Sequence, residues 1–114
     1  MAPDFLAIAR EIFAEISADA VITTERGTHI DYVFIRTSRQ LIEVGYEAFQ
    51  RPYCFVSQDA GHFGRIGEEI PFPAGQSLSA GDISDEFLAA HERELRSYLV
   101  LLLGKIQSEL AADG

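Results

Sequence analysis

The sequence predicts an α+β fold: an antiparallel sheet of about four strands, joined as a meander, packed against an N-terminal helix and a long C-terminal helix. Apolar residues recur at helical spacing near the start of the chain and again over its final quarter. Between them lie four runs rich in β-branched and aromatic residues, separated by turn-forming residues. At 114 residues the chain has the size of one hydrophobic core, so a single domain over 1–114 is expected.

From Pro3 to Ser17, the residues Phe5, Ile8, Ile12 and Ile16 follow at helical steps, and Leu6, Ala9 and Phe13 widen the stripe. Asp4, Arg10, Glu11 and Glu15 fall mostly on the opposite side, which predicts a helix over 3–17 with one buried face. Pro3 suits a first-turn position, because its missing N–H has no partner there anyway, and Asp4 favours the positive end of the helix dipole. Strands are expected near 20–25, 30–37, 41–49 and 53–58, with Arg26-Gly27-Thr28 as a hairpin turn and Gln50-Arg51-Pro52 as a second short connection. Short connections make successive strands antiparallel neighbours in chain order.

From Asp59 to Asp82, glycines together with Pro71 and Pro73 interrupt any periodicity. This predicts a long surface loop over 59–82, with room for a short strand at Phe63 to Ile66. Ser84 is a good N-cap, with Asp85 and Glu86 in the first turn and Ile83 and Leu88 placed as a hydrophobic staple. Leu88, Leu95, Leu99, Leu102, Ile106 and Leu110 then form one stripe, predicting a helix over 84–111 that Gly104 would end or kink. Such a helix is roughly 40 Å long, more than a four-strand sheet needs as a cover.

The 18 carboxylates outnumber the 9 Lys and Arg, giving a net charge of −9. Nucleic-acid binding needs a basic stripe to neutralise phosphates, and anionic membranes attract basic segments, so neither partner is expected. A basic protein partner is. The start of the chain lacks the basic region of a signal peptide, and the longest apolar run, Tyr98 to Leu103, is far too short to span a bilayer, so a cytoplasmic location is expected. The lone Cys54, within Pro52-Tyr53-Cys54-Phe55-Val56, reads as a reduced, buried thiol.

Alternation along the strands separates two faces. Val33, Ile35, Ile42, Val44, Tyr46, Cys54 and Val56 form one that is nearly all aliphatic, a floor for the helices. The other carries Tyr32, Phe34, Arg36, Leu41, Glu43, Gly45, Glu47, Tyr53 and Phe55. Aromatic anchors among charges are what protein interfaces enrich, so Tyr32, Phe34, Arg36, Glu43, Glu47, Tyr53 and Phe55 are candidate partner-binding residues. A competing expectation is that the loop over 59–82 folds across these rings as a second small core. In the C-terminal helix, Tyr98-Leu99-Val100-Leu101-Leu102-Leu103 is apolar all round, so Tyr98, Val100, Leu101 and Leu103 are candidates for contact with that loop or with a second copy in a homodimer.

Chemistry is less well supported. His29, His62 and His91 show no paired ligand spacing and no Cys cluster joins them, so no metal or other cofactor is expected. His91 lies on a charged stretch of helix and is expected to be solvated. His62 has Asp59 and Ser57 nearby, which leaves an enzyme or ligand-binding domain at 59–67 as a minor alternative to a non-enzymatic protein. Gly61, Gly64 and Gly67 recur every third residue but precede no helix, so they read as turn formers rather than a phosphate cradle.

The element order, with Tyr32-Val33-Phe34-Ile35-Arg36-Thr37-Ser38, Leu41-Ile42-Glu43-Val44-Gly45-Tyr46, and Leu95-Arg96-Ser97-Tyr98-Leu99 before Leu102-Leu103-Gly104-Lys105, resembles small bacterial immunity-type proteins of toxin-immunity systems. The resemblance covers most of the chain as pattern, without a diagnostic motif. It implies a protein that neutralises one cognate toxin by presenting acidic and aromatic groups to a basic active site. The size and acidity also resemble type III secretion chaperones, which implies instead a homodimeric chaperone or adaptor built on the C-terminal helix.

Overall fold

A computed structural model describes residues 4–16, 19–47, 49–58, 63–72 and 84–113. The chain forms helix α1 (Phe5–Phe13), strands β1 (Val21–Arg26), β2 (Ile30–Arg36), β3 (Gln40–Glu47), β4 (Tyr53–Gln58) and β5 (Phe63–Arg65), and helix α2 (Asp85–Asp113). The five strands make one antiparallel sheet in the order β1-β2-β3-β4-β5. The α+β class and the meander are as expected, and β5 adds a fifth strand where the sequence left room for a short one at Phe63 to Ile66.

Both helices cover the aliphatic face. Phe5, Leu6, Ile8, Ala9 and Phe13 of α1 and Leu95, Tyr98, Leu99, Leu102, Leu103 and Ile106 of α2 are buried against Val33, Ile35, Ile42, Val44, Cys54 and Val56. Burying each large apolar side chain contributes about 1.5–3 kcal/mol before entropy is charged. Asp4 caps α1 by accepting a hydrogen bond from Ala7 N–H at 3.3 Å, and this bond holds its carboxyl below its ordinary pKa. Ser84 caps α2 as expected, its Oγ accepting from Phe87 N–H at 3.0 Å. Ile83, the other half of the expected staple, lies outside the described residues.

Several element ends differ from the expectation, each for a local reason. α1 stops at Phe13, and Ile16 closes the following turn through an N–H bond to Phe13 C=O at 3.0 Å. β1 extends to Arg26 because the turn tightens over Gly27, whose N–H meets Ile30 C=O at 3.0 Å. β3 ends at Glu47 because Phe49 takes a left-handed backbone, with φ of 65°. A bulky residue pays for that conformation only when its surroundings hold it. Here the ring packs 5.5 Å from Phe87 and 5.3 Å from His91, and the N–H donates to Tyr46 Oη at 2.9 Å. α2 runs unbroken through Gly104, which faces open space. At about 1.5 Å per residue its 29 residues span about 43 Å.

The expected solvation of His91 is not found. The imidazole is 5% exposed, 2.7 Å from Tyr46 Oη, and packed among Phe49, Phe72 and Phe87. The charged neighbours Glu92, Arg93 and Glu94 are exposed, but His91 stands four residues before Leu95 on the buried stripe.

Of the segment expected to fold across the aromatic face, residues 59–62 and 73–82 lie outside the described residues, and 66–72 does not cover that face. It crosses on the helix side, where Ile66 and Ile70 join the main core and Phe72 meets the Tyr98 ring edge-on at 5.5 Å. Lys105 of α2 pairs with Glu69 there, and Arg51 grips the segment by donating to the carbonyls of Gly67 at 3.0 Å and Glu68 at 2.8 Å. Among the described residues, no helix is long and apolar enough to cross a membrane.

Candidate functional site

The pairing register assembles the face opposite the helices into rows. In an antiparallel sheet, directly opposed residues share a face, so each row is a line of neighbouring side chains. One row runs Glu25, Tyr32, Gly45, Tyr53 across β1 to β4. The next runs Thr23, Phe34, Glu43, Phe55, Arg65 across all five strands. A third runs Val21, Arg36, Leu41, Ser57, Phe63, and beyond the first row Ile30 stands opposite Glu47.

The rings on these rows form two runs. Tyr32 and Phe34 stack with centroids 5.8 Å apart on β2. Tyr53, Phe55 and Phe63 follow one another at 4.9 and 5.2 Å across β4 and β5. Glu43 stands between the two runs, opposite Phe34 on one side and Phe55 on the other. Its Oε2 accepts the Tyr53 hydroxyl proton at 2.8 Å. Burial, then this carboxylate, push the Tyr53 phenol well above its ordinary pKa. Gly45 makes the arrangement sterically feasible: a Cβ at that position would fall within the Tyr53 ring, so only glycine lets the ring lie across β3.

Charge is polarised along this face. Glu25 is directly opposite Tyr32, while Glu43 and Glu47 flank Gly45, the other residue opposite Tyr32. Three carboxylates therefore surround one half-buried phenol. Among the described residues, none of the three has a cation within ion-pair distance. Arg36 stands one row beyond Glu43, and Arg65 ends Glu43's own row at the β5 edge, where its guanidinium sits over the Phe55 ring at 5.4 Å. Ring faces carry negative quadrupolar charge, so this end already displays the contact that the acidic end could offer an incoming cation.

All seven sheet residues singled out from the sequence, Tyr32, Phe34, Arg36, Glu43, Glu47, Tyr53 and Phe55, share this face. Alternation missed Glu25, Phe63 and Arg65. The hairpin signal carried Glu25, since a tight turn after Arg26 sets it opposite Tyr32, whereas Phe63 and Arg65 needed the pairing of β5.

The four helix candidates separate into two pairs. Tyr98 and Leu103 are core residues, 2% and 7% exposed, which removes them as contacts for another chain. The Tyr98 hydroxyl donates to Pro52 C=O at 3.1 Å, and burial raises its pKa. Val100 and Leu101 are on the outer side, 55% and 54% exposed.

Cys54 is buried and free, its thiol pushed up to about 12 mainly by burial, and it is unsuited to nucleophilic work. Among the described residues, no group of three His, Cys, Asp or Glu is disposed to hold a metal ion. Asp59 and His62 lie outside the described residues. No protein-family model, curated protein or solved structure matches the chain.

Proposed function

We propose that the chain is a non-enzymatic protein-binding domain that captures a basic protein on the acidic end of its open sheet face. The observation that carries this reading is Tyr32 beside the carboxylates Glu25, Glu43 and Glu47, none of which has an ion-pair partner among the described residues. An arginine or lysine of a partner would lie on the Tyr32 and Phe34 rings while meeting a carboxylate at its edge. The overall charge of −9 supports fast, salt-sensitive encounter with such a partner. The likeness to immunity-type proteins supplies the kind of partner: a toxin whose basic active site is blocked by the face.

The test is a titration of the labelled protein with a short arginine-rich peptide, followed by NMR. The expected result is shift changes on β2 and β3 around Tyr32, Phe34 and Glu43. Glu25→Gln, Glu43→Gln and Glu47→Gln should each weaken binding about five-fold, the equivalent of about 1 kcal/mol. Removing equal charge from the helix side, at Glu15, Glu86 and Glu94, should change it far less. Equal losses from both sets would reduce the interaction to bulk attraction and overturn the site.

A further inference from the structure

The two edges of the sheet differ. β5 is three residues long and ends at Arg65, whereas β1 runs for six residues, Val21 to Arg26, with no proline or lysine. β1 pairs with β2 residue for residue, so no bulge twists its outer edge away. Val21, Thr23, Glu25 and Arg26 are exposed, and among the described residues no strand pairs with that edge.

The hairpin fixes which backbone groups the edge presents. Gly27 N–H bonds to Ile30 C=O, and hydrogen-bonded and non-hydrogen-bonded pairs alternate along an antiparallel ladder. Glu25, Thr23 and Val21 therefore spend their backbone groups on β2, and the N–H and C=O groups of Ile22, Thr24 and Arg26 point outward. The side chains divide in the same way. On the helix side, Arg26 pairs with Asp4 and Asp31, and Thr24 Oγ1 accepts from Arg10. On the opposite side, Glu25 has no cation within ion-pair distance among the described residues.

We propose that the basic partner enters as an extended segment that pairs antiparallel with β1 as a sixth strand, with an arginine or lysine opposite Glu25 and an apolar residue four places later opposite Val21. Its cation is the one captured at Glu25, Glu43 and Glu47, so this mode of entry rests on the acidic end of the sheet being the binding site. An extended backbone is the occupant whose own N–H and C=O groups match a row of outward-pointing ones. Bonded at Ile22, Thr24 and Arg26, the incoming strand meets Glu25 in a non-hydrogen-bonded pair, where Cα atoms are about 4.5 Å apart and side chains are closest. The basic residue then extends the row Glu25, Tyr32, Gly45, Tyr53 by one place. The apolar residue covers Val21, which is 60% exposed. A second copy fits this edge less well. In the registers that overlap most, self-pairing of β1 sets Glu25 opposite Thr23 or Val21 rather than a cation, and it brings together two chains of net charge −9.

Hydrogen exchange of the full chain with a short peptide containing Arg-Thr-Val-Thr-Val tests the proposal. The expected result is slowed exchange at the amides of Ile22, Thr24 and Arg26, with little change at Thr23 and Glu25, which are already bonded to β2. Methylating the backbone nitrogens of the two peptide threonines, which leaves the charge intact, should weaken binding about ten-fold. Thr24→Pro removes an outward N–H without touching the ladder to β2 and should act in the same direction. Should that variant alter the fold, the methylated peptide supplies the readout on the unchanged chain. Failure of this peptide to bind while an arginine-rich one is captured overturns the sixth strand and leaves the acidic site standing. So does binding that shifts β2 and β3 around Tyr32 but leaves the edge amides unprotected and tolerates methylation. A chain that captures neither peptide overturns both readings. Protection of the same amides in the free chain, growing with its concentration, would give the edge to a second copy and overturn the proposal.

Discussion

The Tyr53 hydroxyl donates to Glu43 Oε2 at 2.8 Å, one strand over and one row down, with its ring laid across the bare backbone of Gly45. Three residues thus act as a unit: glycine makes the space, the ring fills it, and the hydroxyl fixes the carboxylate at the centre of the open face. Tyr53→Phe keeps the ring and removes the donor, and should cost about 1 kcal/mol in urea unfolding. Gly45→Ala should cost about 1–3 kcal/mol, because its methyl must displace the ring. In a Tyr53→Ser background, Gly45→Ala should be much less damaging. Additive losses in that double-mutant cycle would show that ring and glycine are not coupled.

His91 makes acid stability a test of the core. Burial lowers its pKa, and the charge of Glu94 only partly opposes the shift. Tyr46 Oη already accepts from Phe49 N–H, so its own proton is free to go to Nε2, which fits a neutral ring protonated on Nδ1. Unfolded, the ring takes a proton near pH 6.5; folded, it does so at lower pH. Stability from this group is therefore complete above about 6.5 and is lost as pH falls toward the folded value. Urea midpoints should drop between pH 7.5 and 5.5, and His91→Phe should flatten that dependence. A wild-type midpoint level across the interval would contradict the neutral, buried ring.

The sequence made the two faces of the sheet legible because strand alternation is rigid: every aliphatic position read from β2 to β4 is buried, and every aromatic or charged one opposite shares the side away from the helices. Helix faces were read less well, because sequence neighbours on a helix point in different directions. His91 looked solvated beside Glu92, Arg93 and Glu94, yet the step to Leu95 puts it on the buried stripe. Tyr98 and Leu103 were grouped with Val100 and Leu101 by hydrophobicity alone, and only packing separates the pairs. The path of 66–72 was not legible at all. It depends on Arg51 reaching two carbonyls sixteen and seventeen residues later in the chain, and on the backbone of Gly67 at φ of 82°.

That path yields the last prediction. Arg51 donates to the carbonyls of Gly67 and Glu68 while its guanidinium lies 5.3 Å from the centre of the Tyr98 ring. One terminal nitrogen bonds both carbonyls while the planar guanidinium covers the ring, and lysine cannot keep that ring contact while holding the carbonyls. Arg51→Ala should cost about 1–3 kcal/mol, with Arg51→Lys nearly as damaging. Hydrogen exchange should localise the effect: the amides of Ile66 and Ile70, bonded to Cys54 C=O and Gly67 C=O, should lose protection before those of β2 and β3. Uniform loss of protection across the sheet would instead mean that Arg51 supports the whole core rather than this segment.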